Sequence, residues 1–311
     1  MDTTQLAALL GLRPIFLLHS TSAKPARDLS QGLHNITPDI IHNGFAKLQR
    51  IFSFLSLDEL MAYRGKTSVA ALTFDDGYTS VFQEAYPVLK ELRIPFVIYL
   101  NCSSFTGKPF WRDMIRTLVN RRLEYQFHEY CQAKGLKIHG FHKHGLYKST
   151  KSAINNSKVV HEHLSGFFER FNIDAAPLAL INREESLIVD PIISYGNHTY
   201  NHYLLSSLPR RDQQLEIEKN KKIIHELKLQ ESPVFSLPFG GDHDFDEHTV
   251  QLAKEFGYKA ILLSRNRLNG RRPRRFDCQM FERFMPSARQ LACEIPLFAP
   301  SILIKSIVGS F

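Results

Sequence analysis

Thr73-Phe74-Asp75-Asp76-Gly77-Tyr78 sets two adjacent carboxylates directly behind the short apolar run Val69-Ala70-Ala71-Leu72, the pattern of a strand buried on both faces. Gly77 permits a tight turn, so both acids are expected at the strand's C-terminal end with their heads in a cleft. Two carboxylates so close repel each other unless one meets a cation, and a metal ion is the natural partner. Alone, the pair would serve equally well as a turn that caps the next helix. A second feature follows another predicted strand and a glycine: His198-Thr199-Tyr200-Asn201-His202. Histidines four apart can face the same way on one helical turn, and one Asp with two His leaves positions open for water, as in a catalytic zinc site. The other Asp would then be free to act as a base. In the third feature, Ser236-Leu237-Pro238-Phe239-Gly240-Gly241, proline and paired glycines fix a turn behind a strand. Its N–H groups can point into the cleft and hold a developing oxyanion.

Six apolar runs must position these residues: 15–18, ending at His19; 69–74, ending at Asp75; 94–100; 191–195, ending at Gly196-Asn197-His198; 233–237; and 258–263. Helical patterns separate several of them. Val81, Phe82, Ala85, Val88, Leu89 and Leu92 keep a 3–4 spacing, a long charged helix carries Leu215, Ile223, Ile224 and Leu227, and a further helix begins near Asp246 and stops at Gly257. Strand–helix alternation implies a parallel sheet with helices outside, open or closed into a barrel, whose chemistry sits at the C-terminal strand ends. Between Trp111 and Asp190 the alternation weakens, which reads as a mostly helical insertion (112–190) near the barrel mouth. The spacing of His139, His142 and His144 could bind metal but has no Cys or acidic partner close by, and it reads as solvated. Residues 1–311 are taken as a single domain, with 265–311 a basic loop and apolar tail.

With these motifs in this order, the chain resembles the NodB-type polysaccharide deacetylases (carbohydrate esterase family four). Thr73-Phe74-Asp75-Asp76-Gly77, His198-Thr199-Tyr200-Asn201-His202 and Leu237-Pro238-Phe239-Gly240 match the family's three motifs. The resemblance covers roughly Ile15 to Leu263, without the insertion. It implies an α/β fold, a distorted (β/α) barrel of the NodB-homology type, and metal-dependent removal of acyl groups from sugars. Position by position, Asp75 would be the general base, Asp76, His198 and His202 the metal ligands, and one divalent ion, Zn2+ by default, the cofactor. Phe239 would supply the oxyanion N–H, with Pro238 and Trp111 on the substrate side. Ser236 stands where the family places an Arg that orients the base, and Phe239 where it has a Tyr, so the sequence names no orienting partner for Asp75. No His follows His248 to serve as the family's late general acid. The poly-N-acetylglucosamine deacetylase-like subgroup takes that His from the first strand, where Phe16-Leu17-Leu18-His19-Ser20 fits, making His19 the candidate acid.

The chain of 311 residues is 43% hydrophobic and 23% charged, as expected of a globular protein, with a net charge of +8. The cluster Arg271, Arg272, Arg274 and Arg275 suits an anionic partner or a solvated basic loop. The basic residues lack the interleaved aromatics of a nucleic-acid stacking platform, so nucleic acid is not an expected partner. Cys102, Cys131, Cys278 and Cys293 form no Cys-x-x-Cys pair, which points to reduced thiols and a cytoplasmic setting. Leu6 to Leu10 reads as a short helix and not a signal peptide, since Asp2 precedes it. Residues 295–311 are apolar but broken by Pro296, Pro300 and Lys305, a docked tail that leaves peripheral contact with the inner face of a membrane open. The function expected is removal of an N-acyl group, acetyl foremost, from an amino sugar, with a nucleotide- or lipid-linked precursor of a surface polysaccharide as the substrate suggested by charge and location. Two rivals keep the same fold: a non-catalytic carbohydrate-binding protein, and a metal-dependent hydrolase of a small non-sugar amide.

Overall fold

Every residue of the Val69–Phe74 strand is buried, because one face of the strand packs outward against helices while the other packs inward. The computed structural model describes residues 2–24, 36–175, 180–182, 186–270 and 279–308. In chain order it runs α1 (Thr3–Leu9), β1 (Ile15–Leu18), α2 (Pro38–Leu48), β2 (Ser53–Phe54), α3 (Leu57–Ala62) and β3 (Val69–Phe74). A π-helical turn (Val81–Ala85) leads into α4 (Tyr86–Glu91), then β4 (Phe96–Leu100). Four helices follow: α5 (Trp111–Asn120), α6 (Glu124–Ala133), α7 (Phe141–Ser149) and α8 (Ser157–Arg170). The chain continues through β5 (Ile193–Asn197), α9 (Arg210–Glu226), β6 (Val234–Ser236), α10 (Glu247–Glu255), β7 (Ala260–Leu262), β8 (Gln279–Phe281), α11 (Ala288–Leu291) and α12 (Pro300–Val308).

All strand pairings are parallel, in the orders β1-β3-β4-β5 and β6-β7-β8, with β2 against the start of β3. Two bridges close the ring: Tyr195 pairs with Glu231 ahead of β6, and Phe16 pairs with Phe284 beyond β8. The result is a distorted (β/α) barrel. Period-2 alternation sorts the side chains. Ile15, Val69, Ala71, Val97, Tyr99, Val234, Ala260, Leu262 and Phe281 form one buried cluster inside, while Phe16, Leu72, Phe74, Phe96, Ile98 and Phe235 belong to the larger shell outside. Each fully buried Leu, Ile or Phe contributes about 1.5–3 kcal/mol. Continuing the inward register reaches Ser236 at the end of β6 and, past the other strand ends, His19, Asp75 and Arg283, each two residues beyond an inward-facing neighbour.

The strands fall where the apolar runs predict, with shifted ends. β4 starts at Phe96 because Pro95 has no N–H to give to the ladder. β5 lies two residues later than expected and takes in Gly196 and Asn197. The Val81–Leu92 pattern divides into a π turn and a short helix with Pro87 at its start, which removes the need for the N–H that proline lacks. On α9 Leu215 is 51% exposed, and Ile217 and Ile224 carry the buried face. β2 and β8 were not expected, and β8 corrects the reading of 265–311 as loop and tail, since it completes the barrel. His142 and His144 are exposed as predicted, but on α7 and not in a loop. The Arg271–Arg275 cluster and Cys278 lie outside the described residues. Cys102, Cys131 and Cys293 form no disulfide among the described residues, and no helix among the described residues is long and apolar enough to cross a membrane.

Candidate active site and metal centre

Asp75 ends β3 inside the barrel, where its backbone N–H donates to Leu18 O at 3.0 Å. Its carboxylate is 2% exposed and gripped by Arg283, whose Nη1 and Nη2 donate to Oδ1 and Oδ2 at 2.7 and 2.8 Å. Ser236 Oγ adds a third bond to Oδ1 at 3.2 Å. Burial alone would raise the Asp75 carboxyl, but the charge of Arg283, helped by His198 and the bidentate hydrogen bonds, outweighs it and holds the acid at about 2. Asp75 is therefore ionised and locked in one orientation. The orienting arginine that the sequence did not supply at position 236 comes from beyond β8, with Ser236 assisting. Arg283 is itself 1% exposed and anchored by Nε to Leu263 O at 3.2 Å.

Asp76 turns the other way. Its φ of +72° is a left-handed conformation that costs a non-glycine residue about 1 kcal/mol or more. Gly77 follows at +73°, where a Cβ would lie 2.8 Å from Leu100 Cδ2, so only glycine completes the turn. Asp76 Oδ1 lies 3.6 Å from His198 Nε2 and 3.4 Å from His202 Nε2. One ligand atom from each of the three residues falls within 4.8 Å of the others, and no other such group occurs among the described residues. Asp76 Oδ1 is buried with no hydrogen-bond partner, and burial followed by the charge of Asp75 pushes its carboxyl up to about 8. Burial also lowers both histidines, His202 well below its ordinary value. His198 Nδ1 faces Ser236 O at 2.9 Å; donating there leaves the Nε2 lone pair directed at the cluster. An orphaned buried carboxylate oxygen beside two neutral imidazoles suits a divalent ion, and a carboxylate with two nitrogens suits Zn2+ among others.

The loop carrying the histidines is held by a buried amide network. Asn101 Nδ2 donates to His198 O and Thr199 O at 2.5 and 2.9 Å, and Asn197 Oδ1 accepts from Thr199 N at 2.8 Å. Asn220 Nδ2 reaches Leu100 O and Asn197 Oδ1, while its Oδ1 accepts from Cys102 N. Glu216 accepts from the backbone and side-chain N–H groups of Asn201 at 2.7 and 2.6 Å. Thr199 and His202 both have positive φ, 64° and 59°, so the histidines are placed by a network-held loop and not by one regular helical turn.

A cavity of about 320 Å³ opens over these groups, lined by His19, Asp75, Asp76, His198, His202 and Phe239, with Arg112, Arg116, Tyr147 and Lys151 on one wall. Phe239 has φ +65°, a true outlier for a bulky residue, and its backbone N–H has no intramolecular partner among the described residues. Its ring lies 4.8 Å from that of His202. Pro238 is buried behind it, outside the lining. Trp111 is 1% exposed and likewise absent from the lining; its indole N–H donates to His202 O at 3.2 Å. That placement suits holding His202, and it differs from the expected position against substrate. His19 lines the cavity beside Asp75, and burial lowers its imidazole below the ordinary value. The fold thus brings seven of the eight predicted residues to the cavity or directly behind it, with Trp111 supporting a ligand. Sequence reading missed Arg283, the amide network, and Arg112 and Arg116. Only the period-2 step from Phe281 to Arg283 could have marked the first of these.

The family model described as polysaccharide deacetylase matches residues 62–146 and 185–261. No curated protein matches the sequence. Among solved structures, the Streptococcus pyogenes deacetylase PplD in complex with acetate is similar over 95% of this chain and 97% of its own, at TM-score 0.53 and 16% identity. IcaB from Ammonifex degensii is similar over 90% and 94%, at 0.51 and 16%. A de-N-acetylase from Aggregatibacter actinomycetemcomitans is similar over 95% and 99%, at 0.50 and 14%.

Proposed function

The chain belongs to the polysaccharide deacetylase family and is a hydrolase of non-peptide carbon–nitrogen bonds; on that premise we propose that it removes an N-acyl group, acetyl foremost, from an amino sugar with the help of one divalent metal ion. The observation that carries this reading is the division of labour between adjacent acids, Asp75 ionised against Arg283 and Asp76 turned to the histidine pair.

Asp76, His198 and His202 would hold the ion, which when bound polarises an acyl carbonyl and acidifies a water molecule. Asp75, fixed by Arg283 and Ser236, takes the water's proton. The Phe239 N–H, without an intramolecular partner among the described residues, donates to the oxyanion that develops on the acyl oxygen. His19, kept neutral at rest by burial, does not start as an acid. It gives its ring proton to the departing nitrogen, which leaves as the neutral amine, and its other nitrogen takes up the proton that Asp75 drew from water, so Asp75 returns to its ionised state. An amide needs this step more than an ester does, because an amide anion is a poor leaving group.

The test is acetate release from an N-acetylated amino-sugar oligomer by zinc-loaded protein. Release by wild type and none by Asp75→Asn is the expected result. Equal release by both would reject the assignment of the base.

A further inference from the structure

Part of the cavity lining is built by helices that the deacetylation chemistry above does not use. Arg112 and Arg116 lie four apart on α5 and so share one face; Tyr147 lies near the end of α7, and Lys151 follows just beyond it. All four line the same cavity as Asp75 and Asp76. Arg116 is matched by Asp113, and Asp75 by Arg283. Arg112 is not matched: it is 2% exposed, and no carboxylate among the described residues lies within ion-pair distance of it. Its guanidinium is held between Trp111 and Tyr147, 4.7 and 4.8 Å from the ring centroids, and donates to Thr150 Oγ1 at 2.8 Å and Tyr147 O at 3.3 Å. With a further side-chain hydrogen bond to the Tyr147 phenol, these bonds still leave N–H groups of its five unspent. Lys151 is exposed, lies over the Tyr147 ring at 4.4 Å and hydrogen-bonds the Tyr147 phenol, and no carboxylate among the described residues lies within ion-pair distance of it. Asp244 is the one further carboxylate lining the cavity, occupied by Gly241 N–H. Although burial raises the Tyr147 phenol, Lys151 and Arg112 pull it down to about 8, which records a positive field along this wall.

A buried guanidinium is costly unless an anion meets it. We propose that this wall is a subsite for an anionic group of the substrate, a phosphate or a carboxylate carried by the acylated amino sugar, with Arg112 and Lys151 as its principal contacts. Arg112 presents a preorganised planar fork suited to either oxyanion, and Lys151 adds a mobile point charge at the mouth. This inference rests on the deacetylase reading.

The probes are N-acetylglucosamine, N-acetylglucosamine 1-phosphate and an N-acetylated aminouronic acid. Their binding to zinc-loaded Asp75→Asn protein is measured by calorimetry, alongside acetate release from all three by wild type. We expect at least one anionic sugar to bind about tenfold or more tightly than the neutral one at low salt, with the gap closing at high salt. Phosphate ahead of carboxylate assigns a phosphorylated substrate, and the reverse an acidic sugar. Lys151→Met, in an exposed side chain that folding does not require, narrows the preference at least threefold, and Arg112→Met narrows it further. Equal affinity for all three sugars, or a preference unmoved by Lys151→Met, overturns the subsite. The two readings separate cleanly: acetate release without anionic preference sinks the subsite and keeps the deacetylase, while anionic preference without release from any sugar does the opposite.

Discussion

Arg283→Met tests what holds the base. The substitution leaves Asp75 buried with Ser236 Oγ as its remaining side-chain donor. Breaking one partner out of a buried ion pair costs roughly 3–5 kcal/mol. At about 1.4 kcal/mol per pKa unit, that is worth roughly two to four units on Asp75. The carboxyl at about 2 in the wild type then titrates in the range of about 4 to 6. The sign follows from linkage. In the wild type the folded value lies below the unfolded one, so the pair stabilises the fold above the unfolded carboxylate pKa, and that contribution is lost as pH falls toward 2. In the variant the folded value lies at or above the unfolded one and the contribution vanishes or reverses. The assay is the pH profile of kcat/KM for deacetylation on zinc-loaded protein, with metal content and denaturant unfolding measured on the same samples. We expect metal content near wild type, an acid limb displaced upward by two or more pH units, and a residual loss of about a hundredfold on the alkaline side, since a base misplaced by about 1 Å loses that much. Arg283→Lys, which keeps the charge but not the fork, recovers part of the pH shift. A folded, metal-loaded Arg283→Met whose acid limb superposes on that of wild type would refute the reasoning.

Three further outcomes follow from the surrounding structure. Glu216, 7% exposed, is pushed up to about 7 by burial against its hydrogen bonds from Asn201; a raised carboxylate costs stability as pH climbs from its unfolded value through 7, so wild-type stability drops over that window by about 3 kcal/mol, and Glu216→Gln flattens the slope in denaturant melts at pH 5 and pH 8. Asn220→Leu strands Cys102 N–H in the core, takes from Leu100 O one of its two donors and leaves Asn197 Oδ1 short of one, and lowers unfolding free energy by about 2–4 kcal/mol, with zinc affinity weakened because the His198 loop loses its support. Trp111→Phe removes one hydrogen bond to His202 O, costing about 1 kcal/mol of stability and raising the zinc Kd severalfold; an unchanged Kd would leave Trp111 with a packing role alone.

The barrel was legible in the sequence because parallel strands buried on both faces read as unbroken apolar runs, and the chemistry-bearing residues stand directly behind them. Asp75-Asp76 and His198–His202 could be placed for that reason alone. What escaped has equally physical causes. Arg283 is one of 39 basic residues and follows a three-residue strand behind an arginine-rich segment, so no apolar run announces it. The left-handed backbone of Phe239, a bulky residue that disfavours it, is imposed by tertiary packing, and that of Asp76 and His202, types that tolerate it, is not announced by any local signal. Asn101, Asn197 and Asn220 come from three different elements and meet only in the folded barrel. Arg112 and Arg116 stand on a helix whose residues 111 to 118 are all buried, a setting in which arginine is rare and for which composition gives no hint. The non-catalytic alternative does not survive family membership, and the ionised, doubly gripped Asp75 is what a working base requires.

The account's central claim is that neighbouring acids do different jobs, and zinc content per chain in Asp75→Asn and Asp76→Asn tests it most directly. Measured by elemental analysis of protein purified without a histidine tag, wild type and Asp75→Asn should each retain about one ion while Asp76→Asn loses it, and only wild type should release acetate. Loss of the ion from Asp75→Asn with retention in Asp76→Asn, or a wild type that takes up no divalent metal, would contradict the account.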